Sequence, residues 1–98
     1  MMYKIEYIST FYADVLNVVN NLEEYPQKAK RIFERLDKIL KGLGQTPEMY
    51  QIYEDFPIFR KIIVEDYLVF YIVNKRDKII EVHRLIYARM DMKKQLKL

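Results

Sequence analysis

Seven consecutive residues, Tyr67-Leu68-Val69-Phe70-Tyr71-Ile72-Val73, carry an apolar or aromatic side chain at every position. Successive side chains of a strand point to opposite faces, so Tyr67, Val69, Tyr71 and Val73 face one way and Leu68, Phe70 and Ile72 the other. A strand with no polar face needs cover on both sides. The run sits inside a longer stretch, Phe59 to Asp91, in which two further Ile/Val/Tyr-rich runs are set off by Glu65-Asp66 and by Asn74-Lys75-Arg76-Asp77. Breaks this short join only antiparallel neighbours, which predicts a three-stranded meander. One cover for its central strand must come from elsewhere in the chain. The second is left to the C-terminal segment or to a partner.

The preceding residues supply the first cover. Tyr3, Ile5 and Tyr7 alternate with Lys4 and Glu6, predicting a short opening strand within Met1 to Ile8, with Ser9 or Thr10 as the N-cap of a helix behind it. From Thr10 to Glu24, Phe11, Val15, Val18, Val19 and Leu22 form one helical stripe. Tyr25-Pro26 breaks that helix and starts another, because proline at the first helical position loses no intrahelical bond. Ala29, Ile32, Phe33, Leu36, Ile39, Leu40 and Leu43 then repeat with a 3.6-residue period, and Gly42 or Gly44 is expected to end the helix in the left-handed conformation. The tight connection predicts an antiparallel helical hairpin. Gln45 to Met49 reads as loop, Tyr50 to Tyr53 as a short edge strand, and Met90 to Leu98 as a frayed helix or mobile tail. The two stripes can be buried only on one face of the sheet, giving a two-layer α+β domain spanning residues 1–98.

Ninety-eight residues suffice for one core and not for two. No run approaches a membrane span, residues 1–20 lack a secretory pattern, and cysteine is absent, which together suggest a soluble, cytoplasmic chain. Nine tyrosines against no tryptophan suit an interface, since a tyrosine ring is apolar and its tip is wet. The C-terminal part is basic: Arg84, Arg89, Lys93, Lys94 and Lys97 oppose only Asp91, fitting an acidic partner or a polyanion, or else a solvated end.

Individual residues carry two readings each. Arg60 can hold a phosphate or an acidic partner in its planar fork, or else a carboxylate of its own chain such as Asp14 or Glu54. His83, the one histidine, titrates near neutrality and suits proton transfer, though a lone strand histidine is more often structural. It alternates with Ile79, Glu81 and Leu85, with Arg84 facing the other way. Arg84, Arg89, Lys93 and Lys94 would make a basic rim. Tyr87 can stack on a base, donate a proton, or simply pack at an edge. One histidine and no cysteine offer no metal cluster, and two glycines offer no phosphate-cradling loop, so no cofactor is expected.

The opening strand followed by Ser9 and Ala13-Asp14, the helical hairpin, Arg60, Tyr67-Leu68-Val69-Phe70-Tyr71 and the closing Arg84-Leu85-Ile86-Tyr87-Ala88-Arg89-Met90-Asp91 together resemble the RelE/ParE superfamily of toxins from bacterial type II toxin–antitoxin modules. The resemblance covers nearly the whole chain. It implies a helical hairpin on a mainly antiparallel sheet of four or five strands, and growth inhibition or plasmid stabilisation held in check by a cognate antitoxin. It leaves a homodimer open. Two mechanisms share the fold: RelE-like members cut messenger RNA on the ribosome, and ParE-like members inhibit DNA gyrase. In the RelE-like branch an arginine on the strand matching Tyr67–Tyr71 commonly serves the phosphate. The matching position here is Leu68, and the tail lacks that branch's usual acid or base, so the motifs lie nearer to ParE. Were the chain a ribonuclease, Arg60, Arg89, Tyr87 and His83 would be its catalytic candidates. As a gyrase-binding toxin it would engage its target through Arg60, Arg84, Arg89, Lys93 and Lys94. A member that has lost its toxicity and only binds its antitoxin is the third alternative.

Overall fold

The structure, a computed structural model, describes residues 2–96. Strand β1 (Lys4–Tyr7) leads into helices α1 (Ser9–Asn21) and α2 (Pro26–Leu43), then strands β2 (Arg60–Val64), β3 (Tyr67–Asn74) and β4 (Ile79–Tyr87), and a last turn of helix α3 (Met92–Gln95). The sheet order is β1-β4-β3-β2. The expected meander is present, β2 to β3 and β3 to β4 both antiparallel, and β1 lies parallel on β4. Turn chemistry explains the meander locally. Glu65 takes a left-handed backbone conformation (φ 55°) while its carboxylate is gripped by Arg31 and Arg35 of α2. In the second turn the Asn74 carboxamide accepts the Asp77 amide at 3.0 Å, an Asx turn.

Period 3.6 and period 2 meet on one side of the sheet. Helix α1 lies over β4 and α2 over β2. Phe11, Val18 and Leu22 of α1 and its exit, and Ile32, Leu36, Leu40 and Leu43 of α2, form a core with Ile62, Val64, Tyr67, Val69, Tyr71, Ile80, Val82 and Leu85. Against the expectation of a single core, a second, smaller cluster occupies the opposite side, because β3 is apolar on both faces: Phe59, Phe70, Ile86 and Leu96, flanked by Tyr53, Phe56, Leu68, Ile72 and Met92. The two-layer expectation therefore needs a thin third layer, made by the 53–59 loop and the C-terminal segment. That segment is the second cover of β3. Asp91 caps α3 by accepting the Lys93 amide, and Leu96 is buried. Lys97 and Leu98 lie outside the described residues.

Four local expectations differ from what is seen. Neither Ser9 nor Thr10 caps α1; Ile8 occupies that position without a side-chain bond, and Thr10 instead donates its hydroxyl to the His83 carbonyl at 2.7 Å. Neither glycine is left-handed. Gly44 has φ −60° and is needed for close approach, since its carbonyl accepts the Tyr3 amide at 2.8 Å and a Cβ would stand 2.7 Å from the Tyr3 oxygen. Residues 50–53 contribute only a single bridge, Ile52 to Arg60, rather than a strand. Alternation along β4 is broken by a bulge: Tyr71 pairs with Val82 but Phe70 with Arg84, leaving His83 as the extra residue. Ile80, Val82 and Leu85 consequently all reach the helix-side core. The grouping of His83 with Leu85 on one face fails for that reason.

Candidate functional site

Strand β4 is longer than its neighbour β1, and the side chains of α1 take over where β1 stops. The last ladder bond on that edge is from the Ile8 amide to the Val82 carbonyl, at 3.0 Å. Beyond it Thr10 serves the His83 carbonyl, and Asp14 accepts the Leu85 amide at 2.9 Å. Asp14 is one turn from Phe11 and one from Val18, inside the apolar stripe, and is almost wholly buried. A buried carboxylate requires a charged partner. Arg84 supplies it with a two-point grip, Nε at 2.6 Å and Nη2 at 3.1 Å. The remaining Nη1 of Arg84 donates to the Gln95 backbone carbonyl, so one guanidinium ties α1, β4 and α3 together. Beside this cluster a depression of about 170 Å³ is lined by Asn17 and Asn21 of α1, Tyr67, Leu85, Tyr87, Met90 and Gln95. The importance of Asp14 was missed from sequence; its one signal was an acid at a core position of an amphipathic helix.

The other candidates are dispersed. Arg60 is fastened to the loop before its own strand, donating to the Tyr50 carbonyl at 2.7 Å and reaching Glu48 at 3.3 Å. Its carboxylate partner is thus Glu48, neither Asp14 nor Glu54. His83 packs edge-on against Phe59, with Nε2 3.0 Å from Glu81 Oε1. Tyr87 is partly exposed beside the Tyr67 ring. Arg60 pairs with Tyr71, and Tyr87 with Tyr67, so four residues of β3, roughly 13 Å, separate their rows. Arg89, Lys93 and Lys94 are exposed, and among the described residues their side chains have no hydrogen-bonding or ionic partner. The structure brings Arg84 together with Asp14 and Gln95, and it does not bring Arg60, His83 and Tyr87 into one site. Among the described residues no group of three or more His, Cys, Asp or Glu could hold a metal ion, and no helix is long and apolar enough to cross a membrane.

A second surface feature lies between the helices. Tyr7, Phe11, Tyr12, Val15, Phe33, Leu36 and Leu40 line an apolar groove of about 290 Å³ whose one charged wall residue is Asp37. Burial, reinforced by the Asp37 charge, raises the Tyr7 pKa above its ordinary value. Tyr12, Leu16 and Val19 extend this apolar surface along the outside of α1, each substantially exposed. At this helical spacing the three form one exposed apolar stripe beside the groove.

Comparison with known proteins agrees with this architecture. The family model described as the ParE toxin of the type II toxin–antitoxin system parDE matches residues 5–92. A solved structure of the chromosomal ParDE toxin–antitoxin system from P. aeruginosa superposes with a TM-score of 0.74 at 18% identity, covering 90% of this chain and 98% of that one. The toxin–antitoxin complex RelBE2 from Mycobacterium tuberculosis superposes with a TM-score of 0.58 at 11% identity, covering 89% and 99%. No curated protein matches the sequence significantly.

Proposed function

This chain belongs to the ParE toxin family of type II toxin–antitoxin systems, and from that premise we propose that it arrests growth by binding DNA gyrase in the cytoplasm and is neutralised by a cognate antitoxin. The observation that carries the choice of a binding mechanism over RNA cleavage is the engagement of the arginines. Cleavage at a phosphate needs free cations aimed at the developing charge, with an acid and a base beside them. Arg60 is committed to Glu48 and the Tyr50 carbonyl and Arg84 to Asp14 and Gln95; the resemblance, in addition, sets Leu68 at the position where the ribonuclease branch commonly carries a phosphate-serving arginine. Exposed Arg89, Lys93 and Lys94 are left for an acidic protein surface. The groove between α1 and α2, with its exposed Tyr12, Leu16 and Val19, supports an antitoxin helix as the neutralising partner.

One observation favours the second reading, ribosome-dependent cleavage of messenger RNA. The His83–Glu81 pair has the geometry of an oriented general base. Induced expression in bacteria separates the two. Loss of gyrase supercoiling with intact messages is the expected result. New message ends within translated codons that disappear in His83→Gln would establish cleavage instead. Arg60→Ala is a poor discriminator because it also frees the 48–50 loop.

A further inference from the structure

Helix α3 is a single turn, Met92–Gln95, too short to persist without support from outside itself. Three fastenings hold it. The Asp91 carboxylate accepts the Lys93 amide at 3.0 Å, Met92 and Leu96 pack into the thin core, and Arg84 donates to the Gln95 backbone carbonyl. The last of these serves a carbonyl at the helix C-terminus, where the helix itself supplies no donor and a cation is favoured. Gln95 Oε1 also lies 3.4 Å from Nη2 of the same guanidinium. Met92 and Leu96 stand four residues apart and share the inward side of the turn. Lys93 and Lys94 are left on the outer side, exposed and, among the described residues, without a hydrogen-bonding or ionic partner.

We infer that Arg84 and Asp14 are positioning residues for target binding: they hold the α3 turn so that Lys93 and Lys94 meet an acidic protein surface already ordered. The inference rests on the proposal that these cations engage the target. Arg84 is fixed before it reaches Gln95. Asp14 of α1 grips Nε and Nη2 at 2.6 and 3.1 Å, and Oδ2 of the same carboxylate accepts the Leu85 amide of β4 at 2.9 Å. Because the guanidinium is a rigid planar fork, holding one edge of it aims the remaining Nη1. A lysine at this position is a point charge on a flexible stem, which neutralises Asp14 without keeping that aim. Arg84 itself is a poor target contact, since Asp14 cancels its charge and its side chain is only 21% exposed. It acts through the turn it holds. The effect on binding is entropic. Cations on an ordered turn are met in place, whereas cations on a loose segment must be ordered as the complex forms, which opposes association.

The test is a double-mutant cycle on purified toxin and DNA gyrase, pairing Arg84→Lys with the joint change Lys93→Ala and Lys94→Ala. Amides of residues 92–96 are expected to exchange faster in Arg84→Lys, while its melting temperature falls less than that of Arg84→Ala. Affinity for gyrase should drop about tenfold, the scale of ordering two long side chains, and the lysine changes should then cost much less than in the parent chain. Leu96→Ala loosens the same turn from its other end with the Asp14–Arg84 pair intact. It should act in the same direction, and it decides the matter if Arg84→Lys does not fold. Faster exchange at 92–96 with gyrase affinity unchanged, losses that simply add, or lysine changes that cost the parent chain nothing would overturn the positioning role. The same cycle is read as growth arrest at matched toxin levels, which needs no assumption about the target. A parent chain that arrests growth without binding gyrase would overturn the gyrase reading alone, and the growth cycle then judges the positioning role. A parent chain that does neither would overturn both.

Discussion

On the helix side of β3, Val69 and Tyr71 share a core with Ile32, Leu36 and Leu40, whereas on the opposite side Phe70 shares one with Phe59, Ile86 and Leu96. The first cover is two long amphipathic helices; the second is a loop and one turn of helix. Both bury their side chains completely or nearly so. They differ in what holds them in place. The helix cover is cooperative, since each turn of α2 repeats the same contact. The thin cover depends on a few fastenings, chiefly Arg84 to the Gln95 carbonyl and the burial of Leu96. Equal burial can thus rest on unequal reserves of stability, and the thin side is where local opening should begin.

The largest effect is expected on the strong side. Leu36→Ala in the centre of α2 removes three carbons from a site only 4% exposed, and is expected to cost roughly 4 kcal/mol, within the range for buried leucines. Thermal or urea unfolding measures it, and a fall in melting temperature of less than a few degrees would show that the helix cover does not depend on this contact. Arg84→Ala comes next. It leaves Asp14 buried without its cation and unfastens α3, for a loss of about 3 kcal/mol; a double change with Asp14→Ala should restore part of it, and strictly additive losses would mean the pair is not coupled.

Leu96→Ala tests the thin side. The loss should be smaller, about 2 kcal/mol, at the low end for a leucine because a single turn of helix can relax into the gap more readily than the centre of α2. Its signature is local: amides of residues 92–96 should exchange faster while those of α2 are unchanged. Uniform acceleration across both would show that the two covers open together.

The smallest effect is a pH dependence to which Tyr71, on the helix side, contributes most. Burial pushes the Tyr71 hydroxyl up to about 12, against an ordinary 10.0, and its proton is donated to the Pro47 carbonyl at 2.8 Å. A raised pKa in an acid means that between those two values the folded chain holds a proton the unfolded chain has released. The associated stability is intact below pH 10 and is lost as pH rises toward 12. Tyr71→Phe should flatten that part of the profile without abolishing it, because Tyr7, Tyr53 and Tyr67 are raised by burial as well. An unchanged slope between pH 10 and 12 in the variant would show that the slope belongs to the other tyrosines.

Much of the helix side was legible in the residues. The period of α2 from Ala29 to Leu43, the proline opening it, and the two short polar breaks of the meander are local signals, and the structure places elements there within a residue or two. The thin side was legible mainly as a requirement: an all-apolar strand needed a second cover, the C-terminal segment or a partner was named for it, and no periodicity in residues 53–59 or 92–96 chose between them or showed the part the 53–59 loop plays. Arg60 showed its charge but not its partner, because a long flexible side chain can reach several carboxylates and chain order ranks none of them. Glu48, in the loop before the bridge at Ile52, was the one it met.

Sequence alone determined a helical hairpin over an antiparallel meander, and the motifs along β3 and β4 pointed to its family. Both come from local rules, since period and turn chemistry act over a few residues and are carried by the order of the chain. Tertiary structure decided the rest. It set the bulge at His83, which re-aims Arg84 and Leu85, and it seated Asp14 where β1 runs out so that its carboxylate completes the edge of β4. Those outcomes depend on residues about seventy positions apart meeting at a strand edge whose length relative to β1 no local pattern records.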